Sequence, residues 1–182
     1  LKEGVGFTLT DKKGGFASGF TLIELAIVLA ILSLIMLLAM PRLQSSNAEE
    51  LKSSARSLAA ILRYLGENAV TSRTQYRIHF NIRDSEIAIA RRTGEGGEVP
   101  PDDPFLKRRI IAEGISIKDV MTARLGTVNE GEVIVDFDSG GIAEFVNVHL
   151  QDSAEKEYTV MAYPGSGKVK LYEGRQEPEM EL

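Results

Sequence analysis

Gly19-Phe20-Thr21-Leu22-Ile23-Glu24-Leu25 opens a run that continues Ala26-Ile27-Val28-Leu29-Ala30-Ile31-Leu32-Ser33-Leu34-Ile35-Met36-Leu37-Leu38, and from Phe20 to Met40 its one charge is Glu24. At about 1.5 Å per residue, a helix over this run reaches roughly 30 Å, the thickness of a bilayer's hydrocarbon core. The length predicts a transmembrane helix over residues 20–41. A plain anchor has no reason to carry a carboxylate there. Such a group costs about 2.5–3.5 kcal/mol at the bilayer centre, and less toward the end of the span where Glu24 lies. Glu24 therefore reads as a functional residue in need of a partner. A cut between Gly19 and Phe20 would supply one, by creating an α-amino group one helical turn before Glu24 at a positive helix N-terminus.

The hexapeptide Gly19-Phe20-Thr21-Leu22-Ile23-Glu24 and the apolar run behind it resemble the processing motif of type IV pilins and of the pseudopilins of type II secretion. Pro41 stands where many members of that family have a proline. The resemblance implies that a prepilin peptidase cuts after Gly19 and N-methylates Phe20. It also implies that Glu24 guides packing against a neighbouring subunit and that Pro41 bends the helix. The cut site would face the cytoplasm and the C-terminal domain the periplasm. The implied partners are other pseudopilins or pilins through the N-terminal helix, the peptidase, and the inner membrane.

Residues 1–19 read as a leader peptide, with Gly4, Gly6, Gly14 and Gly15 and a lysine pair at Lys12 and Lys13. Two decoys lie within it. Gly6-Phe7-Thr8-Leu9-Thr10 is followed by Asp11, Lys12 and Lys13 instead of an apolar run, and a cut at Gly15-Phe16 would leave Glu24 more than two turns from the new amine. The competing processing hypothesis is a secretory signal peptide cut at Ser46-Asn47-Ala48, against which stand the length of the apolar run and its opening glutamate. Basic residues near the two ends (Lys12 and Lys13; Arg42, Lys52 and Arg56) are too evenly matched for the positive-inside rule to set the orientation.

The residues beyond the apolar run are enough for one domain with a core of its own. The chain has 182 residues, with 21 Lys plus Arg against 26 Asp plus Glu, so no global basic field draws it to nucleic acid or acidic lipid. It has no cysteine, which excludes a lipoprotein anchor, a zinc-thiolate site and a structural disulfide.

Beyond Pro41 the pattern turns amphipathic. Ala48, Leu51, Ala55, Leu58, Leu62, Leu65 and Ala69 recur at steps of three and four, which predicts a helix over residues 42–72 continuing the first. From Gln75 the period becomes two. Seven strands are predicted around Tyr76–Ile82, Glu86–Ala90, Ile115–Ile117, Glu132–Phe137, Ala143–Leu150, Tyr158–Ala162 and Lys168–Tyr172, within a β-rich periplasmic domain spanning residues 73–174. Arg91–Arg109, with three glycines and three prolines, reads as a long exposed loop and a candidate contact surface, and residues 175–182 as an acidic tail. The predicted fold is α+β: a long N-terminal helix, transmembrane then amphipathic, packed on an antiparallel β-sandwich. This order looks like the H-type minor pseudopilins and the related T-type minor pilins. Val135-Asp136-Phe137-Asp138-Ser139-Gly140-Gly141 and the hairpin Tyr163–Val169 carry that part of the resemblance.

Other chemistry finds little footing. Gly165-Ser166-Gly167-Lys168 lacks the first glycine and the final Ser or Thr of a phosphate loop and reads as a hairpin turn. Asp136 and Asp138 would open a calcium loop whose twelfth position is Asn147 instead of Glu, so a turn is again the better reading. His79 and His149 lie in predicted strands with no nucleophile or metal-ligand spacing, so neither an enzyme nor a metal or other cofactor is expected. T-type competence pilins bind DNA through basic residues near the C-terminus. Here Gly174-Arg175 is followed by Glu177 and further acids, leaving Lys107-Arg108-Arg109 as the remaining basic cluster, so nucleic acid is not an expected partner. The function implied by the resemblance is that of a minor pseudopilin of type II secretion, at the tip of a short periplasmic pseudopilus. The alternative is a minor pilin of a type IV pilus serving assembly, twitching or DNA uptake.

Overall fold

The computed structural model describes residues 21–94, 96–165 and 167–178; side chains are described throughout these except at residues 37–46. Gly19 and Phe20 lie outside them. The element order is one long helix, α1 (Leu22–Ser72), followed by β1 (Tyr76–Asn81), β2 (Glu86–Arg92), β3 (Glu98–Val99), a 3-10 turn (Pro104–Lys107), β4 (Ser116–Thr122), β5 (Gly126–Val128), β6 (Glu132–Asp138), β7 (Gly141–Ile142), β8 (Val146–Gln151), β9 (Glu157–Ala162) and β10 (Val169–Glu173). The chain divides into two compact units, residues 1–40 and 41–182. Pro41 is the first residue of the second. Its backbone is helical, and its side chain lies outside the described residues.

The second unit is α+β, with the C-terminal part of α1 packed on two antiparallel five-stranded sheets. Their strand orders are β3-β2-β1-β6-β7 and β10-β9-β8-β4-β5. Helical and strand periodicities converge on one core. Leu51, Ala55, Leu58, Leu62, Leu65 and Ala69 are fully or almost fully buried along α1, and they meet the alternate residues Ile78 and Phe80 of β1, Val133, Val135 and Phe137 of β6, and Val146, Val148 and Leu150 of β8. Burying each of the large side chains among these contributes about 1.5–3 kcal/mol relative to leaving it exposed. The polar face of the helix, carrying Lys52, Arg56 and Glu67, remains exposed. The helix ends at Ser72, and Arg73, at φ 54°, turns the chain into β1.

Two differences from the sequence expectation have clear causes. Among the described residues ten strands form instead of seven, because β3, β5 and β7 are pieces of two or three residues, too short to show a period. The segment from Arg91 to Arg109 is anchored rather than a free loop. Glu98–Val99 pairs with Arg91–Arg92, Leu106 is buried, and Asp103 caps the 3-10 turn by accepting the Phe105 N–H at 2.8 Å. The Tyr64 hydroxyl of α1 donates to the same Asp103 carboxylate, and the Tyr64 and Phe105 rings lie 5.1 Å apart. That bond holds Asp103 below the usual carboxylate range and raises the Tyr64 phenol. The Asp136–Gly141 stretch forms the β6–β7 hairpin, a turn between strands as read from the sequence. Asp138 Oδ1 accepts the Gly140 N–H at 2.7 Å and Gly141 adopts φ 92°.

Candidate assembly site

The start of α1 is built by its own sequence. Thr21 is the N-cap: its hydroxyl accepts the Glu24 N–H at 3.2 Å and its carbonyl accepts the Leu25 N–H at 3.1 Å. Glu24 thus occupies the third position of the first turn, the place of the acid in a Thr-x-x-Glu capping box. Its carboxylate stands at the positive end of the helix, and among the described residues it has no ion-pair partner. From Leu22 to Met36 the large apolar side chains are exposed on every face, Leu22 by 88% and Met36 by 76%. Ser33, the other polar residue in that stretch, donates its hydroxyl to the Leu29 carbonyl at 2.8 Å and so adds no demand for an outside partner. An apolar surface continuous around a helix is what a surface awaiting other apolar surfaces looks like. Among the described residues no helix is long and apolar enough to cross a membrane.

The second unit carries two polar networks that sequence reasoning did not find. On sheet one, Arg77 reaches Asp136 with two hydrogen bonds, at 2.7 and 2.9 Å, and Glu98 with a third at 2.8 Å. His79 lies between Glu132 and Glu98, at 2.9 Å from each. The guanidinium holds the Asp136 and Glu98 carboxyls below their usual range, and these contacts raise the Arg77 pKa. A carboxylate whose folded pKa is depressed adds stability that is present above its unfolded pKa, here 3.8 for Asp136, and lost as pH falls through the folded value. We therefore expect stability to drop below about pH 4. Asp136→Asn should remove part of that acid sensitivity, at a cost near neutral pH of about 0.5–1 kcal/mol, since the pair is screened by solvent. Urea midpoints of both proteins at pH 6 and pH 3 measure this; equal acid sensitivity in the two would contradict it.

On sheet two, Asp119 of β4, His149 of β8 and Thr159 of β9 stand side by side across three strands. The row exists because a bulge between Ile117 and Asp119 shifts the register so that Asp119 faces His149. Asp119 Oδ1 is 2.6 Å from His149 Nδ1, and the Gln176 carbonyl is 3.1 Å from Nε2. Arg175 Nη1 donates to Asp119 Oδ2 at 2.9 Å, Asn147 Nδ2 donates to the Gln176 carbonyl, and Thr159 links the Gly174 carbonyl to the Gln176 N–H. His149 and Thr159 are fully buried beneath this strap. The contact with Asp119 raises the Arg175 pKa. The first residues of the expected acidic tail are therefore fixed to the sheet, and the Asp–His pair holds the chain's own backbone instead of a nucleophile. No local spacing could have shown this, because the partners lie 15 to 56 residues apart in sequence. Of the residues expected from sequence, Lys107, Arg108 and Arg109 are exposed at the end of the 3-10 turn and just after it.

Residues 16–40 match the family described as the prokaryotic N-terminal methylation motif. The chain carries a type IV pilin-like methylation motif on a pilin-like fold. Its pilin-like architecture is similar to that of the minor pseudopilin EpsH from the Type 2 Secretion System of Vibrio cholerae. The TM-score is 0.54 at 18% identity, over 68% of this chain and 97% of that one. At that identity the likeness speaks for the fold. No curated protein sequence matches the chain significantly.

Proposed function

We propose that the chain is a minor pseudopilin of a type II secretion system, held in the inner membrane by residues 20–41 with its β-rich domain in the periplasm. It is cut after Gly19 by a prepilin peptidase, methylated at Phe20, and then drawn into the tip of a pseudopilus that moves proteins across the outer membrane. The observation that carries this reading is the conjunction of the methylation motif at residues 16–40 with a fold like that of a minor pseudopilin. In this account the protein acts by position. The exposed apolar helix packs among the helices of other subunits, Glu24 meets the amino group of a neighbour, and the domain, without catalysis, caps the filament. A bend at Pro41 lets the apolar and amphipathic parts of α1 serve the two environments.

Deletion of the gene should abolish export of secreted proteins. Complementation with Glu24→Ala should restore less than about a hundredth of it, because breaking an ion pair in apolar surroundings costs about 3–5 kcal/mol. The variant's domain should remain as stable as wild type. Normal export with lost twitching or DNA uptake would move the protein to a type IV pilus, and full export with Glu24→Ala would remove the role given to that residue.

A further inference from the structure

β3 covers only the last two residues of β2, pairing Val99 with Arg91 and Glu98 with Arg92. Among the described residues no strand pairs with Glu86–Ala90 on that side. The Arg92 N–H donates to the Gln75 carbonyl at 2.9 Å, and in an antiparallel ladder this phase turns the backbone groups of Ile87 and Ile89 away from β1, toward the open side. A groove with a cavity of about 450 Å³ separates that edge from the segment Lys107–Ile111. Its far wall is basic. Lys107, Arg108 and Arg109 are exposed, and among the described residues none of them has an ion pair; Arg108 stacks on Phe105 at 4.1 Å. Buried Ile110 and Ile111 fix this wall to the core, and Glu86 is the one acid lining the groove. An open strand edge facing an unpaired basic wall suits an extended acidic peptide.

We propose that this groove receives the segment Pro178-Glu179-Met180-Glu181-Leu182 of a second copy of the chain, added as a strand along β2. Three features of the chain match. The segment alternates acidic and apolar residues, the period of a strand with one charged and one apolar face. Its five residues reach roughly 16 Å extended, the length of the five uncovered residues of β2. Its two glutamates are opposite in charge to the wall, and the strap through Arg175 and Gln176 anchors the root of the segment on sheet two, from which it can reach another molecule. The joint would be head-to-tail, with groove and tail on different surfaces, so it links copies in series rather than closing a symmetric pair. It is independent of the membrane helix.

A fluorescent peptide of residues 176–182 titrated with the full-length protein in detergent tests this. The expected result is saturable binding with a Kd of roughly micromolar order. Lys107→Glu/Arg108→Glu/Arg109→Glu should weaken it at least about tenfold, and salt should weaken it too. Because strand addition uses main-chain hydrogen bonds, the same peptide N-methylated at Met180 should also lose binding. Truncation after Glu177, remote from the core, should remove the part of the full chain's concentration-dependent self-association that the free peptide competes away. No peptide binding, binding indifferent to N-methylation, or duplex DNA competing for the basic wall where the peptide does not bind would each overturn the proposal.

Discussion

Phe137→Ala is expected to destabilise the domain by about 3–5 kcal/mol. Phe137 is 1% exposed on β6, inside the core that α1 shares with both sheets. Removing its ring leaves a cavity that close-packed strands cannot collapse into, and the lost contacts add to the lost transfer energy. Against a total stability of about 5–15 kcal/mol for an ordinary domain this is a large share, and the melting midpoint should fall by about 10 °C or more. Val70→Ala, on the exposed side of the same helix at 49% exposure, should change stability by less than about 0.5 kcal/mol. Thermal and urea unfolding of the two variants distinguishes the buried from the open face of α1; equal effects would contradict this packing.

Replacing Gly19 should abolish processing outright, while replacing Gly6 or Gly15 should leave it unchanged. The reason is geometric. In our account the new amine serves Glu24 of a neighbouring subunit, so it must lie one turn from the helical position that Glu24 occupies. Thr21 capping α1 and Glu24 in its first turn fix that position. A cut at Gly15 would place the amine on Phe16, eight residues before Glu24 and more than two turns away, and a cut at Gly6 would expose Asp11, Lys12 and Lys13 in place of an apolar run. Intact-mass analysis of each variant, co-expressed with the peptidase, reads the result directly. A Gly15 variant that stays uncut, or a Gly19 variant that is cut as wild type is, would sink this assignment.

The parts of the fold that were legible in the sequence are those governed by period. The three-and-four spacing from Leu51 to Ala69 marks the buried stripe of α1 and its end at Ser72, and alternation marks the cores of β1, β6 and β8. Glu24 was legible because it is the one charge in the apolar run, whereas Thr21 was not singled out until its hydroxyl was seen to cap the helix. The features that stayed hidden depend on contacts distant in the chain. Arg91–Arg109 has the glycines and prolines of a loose loop, and nothing local shows that Tyr64 of α1 holds it through Asp103, or that Ser54 of α1 holds the chain just beyond it through the Ala112 N–H. The bulge that brings Asp119 to His149 breaks the alternation of β4 after Ile117, where the predicted strand stops, and nothing local names its partners, so the strap through Arg175 and Gln176 read only as an acidic tail. The charge count at the C-terminus was right; its attachment was invisible.

The central claim is that this chain is a processed, filament-forming subunit, and its most direct test is mass spectrometry of the N-terminus of protein extracted from membranes, with and without an active prepilin peptidase. Our account predicts an N-terminal methylated Phe20 that appears only when the enzyme is active. An N-terminus at Glu49, as a signal peptidase would leave, or an uncut chain beside active prepilin peptidase, would contradict it.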